Sequence, residues 1–143
     1  MRAVLPARLF VDSGAWIALR SQRDQHHRAA DRGFREAISR RIPLITTNLV
    51  LAETHRLTLF RAGVQAARSA LERMDASASL VVHFATEHDH VSGRKWIDRL
   101  APRPVTYTDA ISFAVMEARR CTHVLGFDDD FVAAGFKLWE VSR

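Results

Sequence analysis

Short β-prone apolar runs alternate with longer helical stretches along this chain, and that alternation constrains the fold more than any other feature. Leu9-Phe10-Val11, Pro43-Leu44-Ile45-Thr46, Leu80-Val81-Val82-His83-Phe84 and Thr122-His123-Val124-Leu125-Gly126-Phe127 have the length and side chains of strands. Phe136-Lys137-Leu138-Trp139 supplies a last short one. Helical patterns fill the intervals. Residues 26–40 carry an apolar stripe of Ala29, Ala30, Phe34, Ala37 and Ile38, and Leu49 to Arg61 forms another helix that Gly63 breaks. Residues 64–74 follow, then 85–100 with Val91, Trp96, Ile97 and Leu100 as its apolar members. Strands separated by helices imply a parallel sheet with right-handed crossovers. The expectation is an α/β fold, one domain over residues 1–143.

Composition narrows the class. Apolar residues make up 48% of the chain and charged residues 26%, the balance of a soluble globular domain. No apolar run approaches the ~20 residues of a membrane span. Arg8 and Asp12 interrupt anything that could serve as a signal peptide, and Cys121 is the only cysteine, which excludes an intramolecular disulfide. A cytoplasmic protein is expected. The net charge of +5 suits a polyanionic partner, nucleic acid above all. The arginines are spread along the whole chain, as a GC-rich coding bias also produces, so charge by itself defines no patch.

The chemistry lies in four acids. Asp12 ends the first apolar run, where parallel α/β sheets place their ligand crevice, although an Asp opening a helix also serves as an N-cap. Asp128 ends the fourth run, with Asp129 and Asp130 behind it. Asp109 opens the helix from Thr106 to Met116, apolar nearly all round, with Thr106 or Thr108 as cap. Glu53 is one acid in the otherwise apolar turn Val50-Leu51-Ala52-Glu53-Thr54, where it needs a cation. Parallel strands end on one edge and the following helices begin there, so all four acids are expected near one crevice. Such a cluster repels itself unless protonated or neutralised by a metal. An all-oxygen donor set selects Mg²⁺ or Mn²⁺. Asp12 and Asp109 are assigned as direct ligands, with Glu53 and Asp128 acting through water or holding a second ion. The predicted chemistry is hydrolysis of a nucleic-acid backbone. Two other clusters read differently. Glu87-His88-Asp89-His90 cannot converge on one ion from consecutive helix positions and reads as a helix start with favourable acids. His26 and His27 suit contact with a phosphate or proton transfer, but solvated helix histidines are the commoner case.

The ordered set Val11-Asp12-Ser13, Leu51-Ala52-Glu53-Thr54, Thr108-Asp109-Ala110 and Gly126-Phe127-Asp128-Asp129-Asp130-Phe131 resembles the PIN-domain nucleases. More narrowly it resembles the VapC-type toxins of bacterial type II toxin–antitoxin pairs. Phe127-Asp128-x-x-Phe131 followed by Gly135-Phe136 strengthens the likeness, which covers essentially the whole chain. The resemblance implies a three-layer α/β/α sandwich, Mg²⁺-dependent endoribonuclease activity, a homodimer and a VapB-type antitoxin whose tail occupies the active site. It implies a catalytic quartet of Asp12, Glu53, Asp109 and Asp128, with Ser13 and Thr108 positioning metal waters. Asp130 departs from the family pattern and stands as a supplement to Asp128 or its replacement.

Rival readings fare worse. A haloacid-dehalogenase-like hydrolase needs an Asp where Gly14 stands, and a receiver domain needs an acidic pair and a late Lys that Lys137 does not match. No G-x-G-x-x-G follows a strand, against a dinucleotide-binding fold. The alternative of another class is a PIN-like scaffold that binds RNA or protein without cutting it.

Overall fold

A computed structural model of the protein describes residues 4–141. Among these residues the chain runs through β1 (Leu9–Val11), α1 (Ser13–Arg20), α2 (His27–Ser39), β2 (Leu44–Thr47), α3 (Asn48–Ala62) and α4 (Val64–Ala76). It continues through β3 (Leu80–His83), α5 (Glu87–Leu100), α6 (Tyr107–Ala118), β4 (His123–Leu125), α7 (Asp129–Ala133) and β5 (Lys137–Leu138). The five strands form one sheet in the order β3-β2-β1-β4-β5, and every pairing is parallel.

The period-2 geometry of strands sorts the core into two halves. Phe10, Ile45 and Val124 face one side of the sheet, where they pack with Trp96, Ile111, Phe113 and Phe131 from α5, α6 and α7. Leu9, Val11, Leu44 and Leu125 face the other, against Ala15 of α1 and Phe34 and Ala37 of α2. The three residues of β1 are completely buried, as befits a central strand covered on both faces. This is the α/β architecture expected from the alternation of strands and helices.

Helix α6 lies in the interior because its sequence offers no polar face. Asp109 through Met116 are all buried, and Phe113 meets the Phe131 ring edge-on with centroids 4.9 Å apart. Each such buried aromatic contributes about 1.5–3 kcal/mol. The Thr106 hydroxyl accepts the Asp109 N–H at 3.1 Å and fixes where the helix begins. Gly63, with φ +92°, occupies the left-handed region that ends α3 and lets α4 start at once.

Three local expectations differ from the structure. Ile38 of the α2 stripe and Val91, an apolar member of α5, are 60% and 49% exposed. Ile38 falls in the last turn of its helix, where the stripe borders an open groove instead of the sheet. The fourth strand stops at Leu125, so Gly126 and Phe127 belong to the loop leading away from it.

The chain fills the sheet on one side of β1 before crossing to β4 on the other. That reversal opens a crevice beyond the carboxyl ends of β1 and β4, the place where α/β sheets bind ligands.

Candidate metal centre

Asp12 follows β1 directly, and both neighbouring strands fix its backbone. Its N–H donates to Leu125 O at 3.0 Å, while the buried Thr46 hydroxyl covers the carbonyl of Val11 at 2.8 Å. Gly126 passes so close that a Cβ there would stand 3.1 Å from Asp12 Cβ, so any other residue would press Asp12 aside by a few tenths of an ångström. Asp12 occupies the N-cap position of α1, but its side chain caps nothing. Its Oδ1 is buried without a hydrogen-bond partner among the described residues. The capping reading of this carboxylate therefore fails on geometry.

Asp109 is carried to the same crevice by the first turn of α6, and Asp128 by the loop after β4. Oxygens from Asp12, Asp109 and Asp128 all lie within 4.8 Å of one another. Asp128 also caps α7, where its Oδ1 accepts the Asp130 N–H at 2.9 Å. Glu53 lines the same pocket from the second turn of α3 and accepts a hydrogen bond from Ser13 Oγ at 3.1 Å. It stands one step back from the three aspartates, and its bonded partner is a hydroxyl where the sequence reading called for a cation. Thr108 is half-buried on α6 beside Asp109, with its carbonyl accepting from Ser112 Oγ at 3.0 Å. Asp130 points elsewhere, its carboxylate accepting from Arg103 Nε at 2.6 Å.

The electrostatic cost of this arrangement is large. Burial, aided by the charges of Glu53 and Asp128, pushes the Asp12 carboxyl up to about 7. Burial, together with Asp12, Asp128 and Glu53, pushes Asp109 up to about 8. Two buried carboxylates that resist ionisation beside a third acid form a site that stabilises a cation. The donors are hard oxygens, and one buried oxygen lacks a partner, which suits a divalent ion such as Mg²⁺ or Mn²⁺. Oxygens bound to one Mg²⁺ are separated by at most about 4.2 Å, so the cluster fits an ion held by some acids directly and by others through water.

Residues 85–90 do what the sequence suggested. Thr86 and Asp89 form a capping box at the start of α5. Asp89 also bonds His83 Nε2 at 2.7 Å. Burial opposes ionisation of Asp89, but its bonds from Thr86 and His83 outweigh that and lower its pKa.

Four residues at the acidic pocket, Ile17, Asp24, Leu57 and Arg61, were not singled out from sequence. Glu53, Leu57 and Arg61 follow i, i+4, i+8 spacing, so one helix face carries all three, and that spacing was the available signal. His26 lines the pocket too, stacked on Phe127 at 4.1 Å between centroids and 7° between planes. No local pattern announces that pairing, because the rings come from opposite ends of the chain.

Comparison with known proteins bears on this geometry. Residues 9–137 match the PIN domain. The chain is 34% identical over 128 residues to the 23S rRNA-specific endonuclease VapC20 of Mycobacterium tuberculosis, covering 90% of this chain and 95% of that protein. The crystal structure of VapC20, described as a sarcin–ricin loop cleaving toxin, superposes with a TM-score of 0.83 at 32% identity. The superposition covers 93% of this chain and 99% of that one.

Proposed function

Because this chain belongs to the PIN-domain family, we propose that it is a VapC-type toxin, an endoribonuclease whose acidic centre works with a divalent metal ion. The observation that carries the reading is the convergence of Asp12, Asp109 and Asp128, with Asp12 Oδ1 buried and unpaired. Asp12 and Asp109 are the residues that would hold Mg²⁺ or Mn²⁺ directly, with Asp128 and Glu53 acting through water or at a second ion. A bound divalent cation supplies Lewis acidity at a phosphoryl oxygen and makes a nearby water a stronger acid. The protein's own residues supply the rest. The backbone bond to Leu125 holds Asp12 in place, Ser13 orients Glu53 toward the pocket, and the Thr106 cap seats Asp109. Arg61 stands at the pocket wall as a cation for a flanking phosphate.

The substrate class is RNA, and 23S ribosomal RNA is the first candidate, given the relative's specificity. A cognate VapB-type antitoxin and a homodimer complete the reading. A groove of about 480 Å³ among α1, α2, α3 and α4 supports a protein partner. Buried in it without partners among the described residues are Trp16 Nε1, Arg20 Nε and the hydroxyls of Thr54 and Thr58. No helix among the described residues is long and apolar enough to cross a membrane.

The test is incubation of antitoxin-free protein with total bacterial RNA, with Mg²⁺ or with EDTA. Discrete fragments that need the metal and vanish in Asp12→Asn and Asp109→Asn are expected. RNA binding indifferent to EDTA, without cleavage, would instead mark a non-cutting scaffold.

A further inference from the structure

A second groove, of about 430 Å³, lies on the other side of the wall that bounds the acidic pocket. His26 and Phe127 belong to both cavities, and Gly126 separates this groove from Asp12, whose Oδ2 lies 3.8 Å from where a Gly126 Cβ would be. The partition is thus one stacked ring pair and one glycine thick. We propose that this groove receives the nucleobase of a nucleotide flanking the scissile phosphate, with Trp139 as its second aromatic surface and Arg32 and Glu140 reading its edge. The proposal rests on the ribonuclease reading above and deepens it.

Three observations carry it. Continuity is the first: a substrate whose phosphate sits at the acids must place its neighbouring base within reach of the adjoining space, and this groove opens there. The second is the lining. His26 and Phe127 are stacked face to face in nearly parallel planes, and Trp139 is anchored by its backbone N–H, which donates to Val124 O at 2.8 Å at the end of the sheet. Single-stranded or loop RNA is recognised largely by stacking unpaired bases on such rings. The third is polarity. Arg32 and Glu140 are exposed residues of the same groove and offer it a donor fork and an acceptor. A planar heterocycle carrying both donors and acceptors uses that pair, whereas an aliphatic side chain does not. The size lies within the range of pockets that bind small planar ligands.

The experiment uses the full chain and a synthetic RNA hairpin spanning the cut site once that site is mapped. Abasic ribose replaces the nucleotide on either side of the cut, one at a time, and wild-type protein is compared with Trp139→Leu and Arg32→Ala. One abasic position is expected to lower kcat/KM about 10- to 100-fold. Trp139→Leu should cause a similar loss on intact RNA and almost no further loss on the abasic RNA. Arg32 is exposed, so its variant keeps the fold and should change which base is preferred at that position. The same RNAs are bound to Asp109→Asn, where affinity should fall at the same abasic position. Equal cleavage and equal binding of intact and abasic RNAs, or losses from Trp139→Leu and the abasic site that multiply, would overturn the subsite. A wild-type protein that cuts no RNA refutes the proposed function instead; binding of an unpaired oligoribonucleotide to Asp109→Asn with and without Trp139→Leu then decides the groove, and equal affinity overturns it.

Discussion

Replacing Asp12 by Asn should stabilise the metal-free protein, the opposite of what most changes at a buried, tightly positioned residue do. The side chain is 4% exposed, and burial is the main reason its carboxyl rises from the ordinary 3.8 to about 7. That rise corresponds to about 4 kcal/mol withheld from folding when the group is charged. The sign follows from proton counts. Below pH ~4 folded and unfolded chains are both protonated and nothing is lost. As pH climbs past 3.8 the unfolded chain releases a proton the folded one retains, so stability falls until the folded group ionises near 7, and the full cost applies above that. Asn has the same shape and no charge. Because relief of Asp12 also eases Asp109, whose pKa it raises, the two effects do not add. A net gain of about 2–4 kcal/mol at pH 8 in EDTA is expected, or roughly 6–12 °C in Tm. At pH 5 the gap should shrink to about 1–2 kcal/mol. Thermal unfolding of wild type and variant across pH 5–8.5 measures it. Excess Mg²⁺ should raise the wild-type Tm and leave the variant's unchanged. A variant less stable than wild type by the same margin at every pH would refute the reasoning.

Other outcomes follow from the same geometry. Gly126→Ala should cut cleavage at least 10-fold while costing only about 1–3 kcal/mol of stability, since the new Cβ presses on Asp12; paired activity and unfolding measurements check it. Ser13→Ala should lower activity or metal affinity about 10- to 100-fold by releasing Glu53, with kcat affected more than KM for RNA. Asp128→Asn should reduce cleavage more than 100-fold, whereas Asp130→Asn, which loses only a partly exposed pair with Arg103, should stay within about threefold in the same RNA assay. Activity at limiting Mg²⁺ should climb between pH 6 and 8 as protons leave Asp12 and Asp109, and the dependence should flatten at saturating metal.

Much of the fold and of the site's outline was legible because both rest on local pattern. Leu9-Phe10-Val11 ending at Asp12 is a strand that stops at a carboxylate, and Thr106-x-x-Asp109 before an all-apolar run is a capped buried helix. Parallel topology then brings their acids to one edge. Asp128 was legible for the same reason, but its second duty as the cap of α7 was not, since that depends on where β4 ends. The three consecutive acids could not be ranked from sequence. Arg103, twenty-seven positions away, distinguishes them by drawing Asp130 aside. Ile38 was misplaced because helical spacing locates a stripe without telling how far the partner surface extends. His26 was read as solvated because its partner, Phe127, lies a hundred residues downstream. Pairings of that kind are set by packing, and no period in the sequence encodes them.

The most direct measurement is anomalous diffraction from crystals of the protein soaked in Mn²⁺. One strong peak or two among the carboxylates of Asp12, Asp109 and Asp128 is expected, absent from crystals of Asp12→Asn soaked in the same way. A wild-type crystal with no manganese among those three side chains, or with manganese bound only elsewhere, would contradict the account.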